Sequence, residues 1–170
     1  IMCGLCVSEC TVLEVDNTFI GPAALAKASR FVYDPRDDKT SERLNFLNDE
    51  AGGMWDCTRC MQCVEVCPKG VSPMDRIMDL RETAIEIGAK KTHGYHHTNS
   101  FEKSVIANGR LDESRLALES AGIFNLSRLL DLVPVGLRAL IRGKLPPFLP
   151  HKAKDNKKIK KLAKAIKEKE

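Results

Sequence analysis

Residues 57–68 read C-T-R-C-M-Q-C-V-E-V-C-P, and their four cysteines are separated by two, two and three residues. A C-x2-C-x2-C-x3-C-P run is typical of loops that bind iron–sulfur clusters, in which three thiolates hold one cluster and the fourth binds another. The reason is geometric, because a short loop wraps its thiolates around only one face of a cubane. The run therefore predicts that a distant cysteine completes each site.

A second group of cysteines lies in residues 3–10, which read C-G-L-C-V-S-E-C. It matches the run without its first member, so we expect a cysteine just before Ile1 and a true amino terminus further upstream. Because the fourth cysteine of each run binds the cluster of the other run, the two runs predict two crossed ligand sets. One cluster takes Cys3, Cys6, Cys67 and the upstream cysteine, and the second takes Cys10, Cys57, Cys60 and Cys63.

The clustering of all seven cysteines favours metal ligation over disulfide bonds. A disulfide framework needs an oxidising compartment and spaced cysteine pairs in a short secreted chain. Structural zinc is the alternative metal, since paired C-x2-C motifs often bind it, and it would make the chain a binding module without redox turnover. Zinc sites rarely use seven or eight thiolates in two runs that end in proline, so iron is the preferred interpretation.

The composition predicts an all-α protein, because Leu, Ala, Ile and Lys dominate and only 5% of the residues are aromatic. No stretch reaches the roughly 18–20 apolar residues that a membrane-spanning helix needs. The net charge of +4 divides into +6 from residue 151 onward and −2 elsewhere, which argues against nucleic acid as a partner. No signal or transit peptide is recognisable, so we expect a cytoplasmic location, with any membrane contact made through partner subunits.

Proline and glycine mark where helices should begin and end. Gly21-Pro22 predicts the start of one helix, Thr40 or Ser41 the cap of a second, and Ser72-Pro73 the start of a third that Gly88 terminates. Each cysteine run thus precedes a helix. We expect residues 1–90 to form the cluster-binding domain, 91–150 a helical extension for packing and partner docking, and 151–170 a lysine-rich terminal helix or tail.

Three histidines, His93, His96 and His97, lie in a polar stretch that follows the third predicted helix. Histidine can bind metal or haem, but the surrounding Lys, Thr and Asn favour a loop or a helix start, and we assign these residues no ligand role. Beyond them, amphipathic segments are predicted near residues 101–107, 114–121 and 126–141. The terminal lysines surround one apolar stripe, formed by Ile159, Leu162, Ala163 and Ile166. This pattern suits an interfacial or partner-binding helix or a solvated one.

The two cysteine runs and two further stretches carry a family resemblance. Residues 19–37 read F-I-G-P-A-A-L-A-K-A-S-R-F-V-Y-D-P-R-D, and residues 68–73 continue the second run with P-K-G-V-S-P. Together they resemble the α-helical ferredoxin domain of the succinate dehydrogenase and fumarate reductase iron–sulfur subunits. The resemblance implies an α-helical ferredoxin fold with two cysteine-rich cluster loops, to which this chain adds a helical extension. It also implies an upstream [2Fe–2S] domain and a flavoprotein partner that oxidises succinate or reduces fumarate.

Two features depart from the pattern of well-known family members. Those members have an aliphatic residue at the position of Cys60 and hold a [3Fe–4S] cluster, so a fourth thiolate here predicts [4Fe–4S] in both sites, with [3Fe–4S] as the alternative in the second. They also have proline at the position of Thr11 and tryptophans near the quinone pocket, where residues 12–15 read V-L-E-V. The usual quinone site therefore does not carry over.

These departures make the chain similar to subunits of heterodisulfide reductases, thiol-dependent fumarate reductases and methylmenaquinol enzymes. The resemblance then implies a cysteine-rich or membrane-anchor subunit as a second partner. We expect the chain to relay single electrons between a flavoprotein and a quinone or thiol partner, with a heterodisulfide-reductase-type subunit as the alternative. It needs no catalytic residue of its own for that role.

Overall fold

Every regular element in the described part of the chain is helical, which confirms the predicted fold class. The computed structural model describes residues 1–48, 51–122, 125–146 and 152–168. The helices are α1 Leu5–Ser8, α2 Thr11–Val15, α3 Gly21–Val32, α4 Thr40–Leu47, a 3-10 helix Met54–Asp56, α5 Gln62–Glu65, α6 Pro73–Glu86, α7 His93–Asn108, α8 Glu113–Ala121, α9 Leu126–Ile141 and α10 Asn156–Lys167.

The helix starts that proline predicts are confirmed. Helix α3 begins at Gly21 with Pro22 in its first turn, and α6 begins at Pro73. Proline suits these positions because the first N–H groups of a helix have no partner within it. Gly88 follows the end of α6 with a φ of +89°, the left-handed conformation in which glycine commonly terminates a helix.

The predicted cap of α4 is wrong, because neither Thr40 nor Ser41 occupies the capping position. That position belongs to Lys39, and no side chain caps the helix there. The hydroxyl group of Thr40 instead donates a hydrogen bond to the carbonyl oxygen of Val32 at 3.3 Å. The threonine thus links the start of α4 to the end of α3, a long-range role that a local capping rule does not anticipate.

The chain divides into two compact units, Ile1–Thr92 and His93–Glu170. In the first unit α3 packs against α6, and α4 contacts both of these helices. The largest fully buried side chains of this unit are Leu25, Leu44, Met54, Ile77 and Leu80. Each contributes roughly 1.5–3 kcal/mol through removal from water. Cys10 and Cys57 pack against this core, so the cysteine loops lie directly beside it.

In the second unit α7 packs against α8, and α10 packs against α7. The three predicted amphipathic segments are helical, and the histidines lie at the start of α7. The buried positions of α7 are polar, namely Ser100, Ser104 and Asn108. Within the described residues, no helix is long and apolar enough to cross a membrane.

The terminal lysine-rich segment forms α10, as the apolar stripe predicts. Part of that stripe is used in packing within the unit. A Cβ atom added to Gly109 would lie 3.0 Å from the Ile159 side chain, so the two segments approach closely. Leu162 stays 63% exposed. The boundary that we place between residues 150 and 151 lies outside the described residues.

Candidate iron–sulfur cluster site

The two cysteine runs share one backbone geometry. Gly4 and Met61 each follow a cysteine, and both adopt the left-handed conformation, with φ of +78° and +69°. Each then begins a single helical turn, α1 or α5, which carries the next cysteine, Cys6 or Cys63. The internal repetition that the cysteine spacing suggests is therefore present in the backbone itself.

The hydrogen bonds of the two loops repeat as well. The carbonyl oxygen of Gly4 accepts from two N–H groups, three and four residues further on, at 2.8 and 3.0 Å. The carbonyl oxygen of Met61 accepts from the equivalent groups at 2.8 and 3.2 Å. Met61 lacks the freedom of glycine, and a left-handed conformation costs such a residue roughly 1–3 kcal/mol. A strained residue held in this way is frequently found at functional sites.

Four cysteines from the two runs line a single cavity. They are Cys10, Cys57, Cys60 and Cys63. The remaining walls are mostly apolar and include Phe19, Met74 and Ile77. Cys63 is buried, Cys10 and Cys57 are half-buried and Cys60 is exposed, so a cluster bound by these thiols would be partly shielded from water. These are the four residues that the crosswise interpretation groups together.

Burial and mutual repulsion act on the thiols in this cavity. Burial raises the pKa of Cys63 to about 11, and the nearby thiols of Cys57 and Cys60 add to the effect. The pKa of Cys60 is lowered instead, mainly because the Thr11 hydroxyl group donates to its sulfur and the Gln62 N–H group lies close by. Four thiolates repel one another in so small a space, and bound iron would compensate their charge.

The remaining three cysteines also neighbour one another. Burial raises the pKa of the Cys6 thiol, and the charges of Cys3 and Cys67 raise it further. The sulfur of Cys67 accepts a hydrogen bond from the N–H group of Val71 at 3.4 Å, which lowers its pKa. All seven cysteines are free thiols. The described residues contain no group of three or more Cys, His, Asp or Glu side chains placed around a single metal ion.

Arg81 is a site residue that the sequence interpretation missed. The residue is 5% exposed. Its guanidinium group donates to the carbonyl oxygen of Met54 at 2.6 and 3.0 Å and to that of Cys57 at 2.8 Å. Burial lowers its pKa to about 10, which leaves it charged at neutral pH. The available signal was its place beside Leu80 on the buried stripe of α6, where a charged residue is unusual.

Trp55 and Lys69 lie on either side of the second run. The indole N–H group of Trp55 donates to the side-chain oxygen of Asn48 at 2.6 Å, and the ring lies 5.0 Å from the Arg81 guanidinium group. Trp55 is partly buried and packs against the apolar core of the first unit. Lys69 is exposed to solvent.

Comparison with known families agrees with this geometry. Residues 1–71 match the family described as 4Fe-4S dicluster domain. The match includes both cysteine runs, α1 to α5 and the cavity cysteines. The matched residues therefore make up most of the first compact unit and end just before α6.

Several curated proteins are similar to the chain. The iron–sulfur subunit of 8-methylmenaquinol:fumarate reductase from Wolinella succinogenes is 30% identical over 98% of this chain and 52% of its own length. A fumarate reductase iron–sulfur subunit from Escherichia coli is 45% identical over 43% of this chain and 30% of its own length. One of the subunits of a CoM/CoB fumarate reductase from Methanothermobacter marburgensis is 39% identical over 52% of this chain and 18% of its own length.

These relatives confirm the resemblance to the iron–sulfur subunits of fumarate reductases. The chain spans about half the length of the W. succinogenes protein, at 52%, and less of the other two. The similarity to the W. succinogenes protein extends through both compact units. The E. coli match covers only 43% of the chain.

Proposed function

We propose that this chain is the electron-transfer module of a fumarate reductase or succinate dehydrogenase type of complex. It relays single electrons between a flavoprotein subunit and a second redox partner. The observation that carries the proposal is the cavity in which Cys10, Cys57, Cys60 and Cys63 converge within a dicluster domain. Iron–sulfur clusters, when bound, supply the one-electron redox chemistry.

We propose two ligand sets that follow the geometry of the loops. Cys10, Cys57, Cys60 and Cys63 bind one [4Fe–4S] cluster, and Cys3, Cys6 and Cys67 contribute to the other. The one-turn helices α1 and α5 position Cys6 and Cys63, and each begins after a residue in the left-handed conformation. The two helices contact each other, which keeps the two sets in one domain.

The other residues of the site exclude water and hold the loops in place. Phe19, Met74 and Ile77 form apolar walls around the thiols, and burial of this kind affects the reduction potential. Arg81 holds the segment that leads to Cys57 through three hydrogen bonds to backbone carbonyl groups. Electron relay requires no general acid, base or nucleophile from this chain.

We propose that the chain belongs to a less typical branch of the family, and that its second redox partner is the one used in that branch. Support comes from the similarity to the methylmenaquinol enzyme across 98% of the chain, which includes the helical extension. Thr11 and Cys60, which depart from the usual pattern, favour the same branch. We propose that the extension α7 to α10 docks a cysteine-rich or membrane-anchor subunit, which passes electrons to or from a quinone or a thiol pair. The CoM/CoB relative supports the thiol alternative.

Replacing Cys60 with valine tests the four-iron assignment. The iron content of the loaded protein should fall by one iron atom per chain, and the oxidised protein should become paramagnetic because a [3Fe–4S] cluster remains. Electron paramagnetic resonance and iron analysis measure these changes. Thr58→Val is the matched control, since Thr58 lines the same cavity without a thiol, and it should retain the native spectrum.

Two results would contradict the proposal. A full oxidised three-iron signal in the native protein, unchanged by Cys60→Val, would show that Cys60 is not a ligand. Zinc in place of iron in the purified native protein, with no visible absorption, would favour the structural zinc module.

A further inference from the structure

Two residues that depart from the family pattern contact each other. Thr11 stands where well-known members have proline, and Cys60 stands where they have an aliphatic residue. They are 49 residues apart in the sequence, yet the hydroxyl oxygen of Thr11 lies 3.5 Å from the Cys60 sulfur, within hydrogen-bonding distance for a sulfur acceptor. Proline carries neither a hydroxyl nor an N–H group, and an aliphatic side chain has no acceptor. The contact therefore needs both departures.

The local backbone fixes the positions of both the donor, Thr11, and the acceptor, Cys60. Thr11 is the first residue of α2, directly after the cavity cysteine Cys10. Cys60 lies between Arg59 and Met61, which both have positive φ, at +59° and +69°. Proline would fit the first position of α2, because that position needs no N–H donor. The local fold therefore does not require threonine, and a role in the contact with Cys60 accounts for it.

We infer that the hydroxyl group of Thr11 raises the reduction potential of the cluster held by Cys10, Cys57, Cys60 and Cys63 by donating a hydrogen bond to the Cys60 sulfur. This inference rests on the proposed function. In the step concerned, the cluster gains one electron from the redox partner, no covalent bond forms or breaks, and no proton moves. A hydrogen-bond donor stabilises the more negative, reduced state more than the oxidised one, so it raises the potential.

The inference gives Thr11 a role in matching the cluster to its partners. A fourth thiolate lowers the potential relative to a three-iron cluster, because net charge and cluster type set that quantity. The Thr11 donor acts in the opposite direction and offsets part of the decrease. Thr11 thus acts on the cluster through the sulfur of Cys60, without binding iron itself.

The test measures the reduction potential of the cluster in variants of the iron-loaded protein. Each variant is titrated potentiometrically, and electron paramagnetic resonance reports how much of the cluster is reduced. Thr11→Val removes the hydroxyl group but keeps the volume of the side chain, and the potential should shift to a lower value. Thr11→Ser keeps a donor and should stay near the native value. The matched control is Thr18→Val, because the Thr18 hydroxyl group donates to Asp16 at 2.6 Å. It should leave the potential unchanged.

A spectroscopic measurement accompanies the titration. Electron–nuclear double resonance of the reduced protein in deuterated buffer should show exchangeable deuterons coupled to the cluster. Thr11→Val should remove the contribution of the hydroxyl deuteron and leave those of the nearby N–H groups, while Thr11→Ser keeps it. A four-iron cluster whose potential and deuteron signal do not respond to Thr11→Val would overturn the inference but leave the proposed function intact. A native three-iron cluster would overturn the inference and the four-iron assignment together.

Discussion

Gly52 lies where the segment before the second cysteine run passes the segment that follows the first. Its φ is +79°, and a Cβ atom at this position would lie 2.3 Å from the carbonyl oxygen of Thr18. The carbonyl oxygen of Gly52 also accepts from the Ile20 N–H group at 2.9 Å. Only glycine permits both the conformation and this close backbone approach.

Replacing Gly52 with alanine should destabilise the fold by about 3 kcal/mol or more, because the methyl group meets backbone and the conformation becomes strained. The matched control is Gly88→Ala. Gly88 has a similar φ of +89° but open space around the added atom, so it should cost only about 1–2 kcal/mol. Denaturant unfolding of the two variants measures the difference. Equal losses would show that the close approach to Thr18 does not contribute.

Helix α6 contacts the segment that leads into the second cysteine run. Arg81 projects from its buried face to the carbonyl groups of Met54 and Cys57, at the two ends of a short segment. Both carbonyl oxygens would lack these donors if the guanidinium group were absent. The 14-residue helix therefore contributes to the core and also determines where the loop begins.

Arg81→Met should lower the free energy of unfolding by about 2–5 kcal/mol, because buried carbonyl groups without a donor are costly. Arg76→Met is the control on the same helix. Arg76 is half-exposed and pairs with Asp79 at 3.1 Å, and such surface ion pairs contribute at most about 1 kcal/mol. Thermal unfolding monitored by the fluorescence of Trp55, the single tryptophan, compares the two variants. Similar midpoints would contradict the anchoring role of Arg81.

At the scale of the whole molecule, the cysteine loops and the apolar core depend on different interactions. Helix α1 has four residues and buries none of them, and α5 buries only Cys63. Helices this short are unstable without tertiary contacts. Helices α3 and α6, in contrast, share a set of fully buried apolar side chains. We therefore expect the bound clusters to supply much of the stability of the loops.

Removing iron with a chelator and an oxidant should reduce the helical circular dichroism signal and increase amide hydrogen exchange in α1, α2 and α5. The helices α7 and α8 contain no cysteine and serve as the internal control, so their exchange should stay near its original rate. A full helical signal after complete iron removal, with unchanged exchange in α1 and α5, would show that folding and cluster binding are not coupled.

Much of the local structure followed from the sequence because its causes are local. The spacing of the cysteines indicated two loops of one kind, and Gly21-Pro22 and Ser72-Pro73 indicated where α3 and α6 begin. Proline restricts the backbone of its own residue and of its neighbour, so such signals need no knowledge of the rest of the chain. The same reasoning failed at Thr40, whose hydroxyl group binds the distant Val32 carbonyl group instead of capping its helix.

The tertiary structure decided what depends on residues far apart in the chain. The cysteine spacing had already grouped Cys10 with the second run, but only the tertiary structure placed the Arg81 guanidinium group against the Met54 and Cys57 carbonyl groups and the Thr11 hydroxyl group against the Cys60 sulfur. None of these contacts has a local pattern, because each arises only when α2 and α6 pack around the same loop. The sequence by itself determined the helical class and the pair of cysteine loops. Only the packing determined which side chains surround each sulfur, because long-range contacts follow from how the helices share one core.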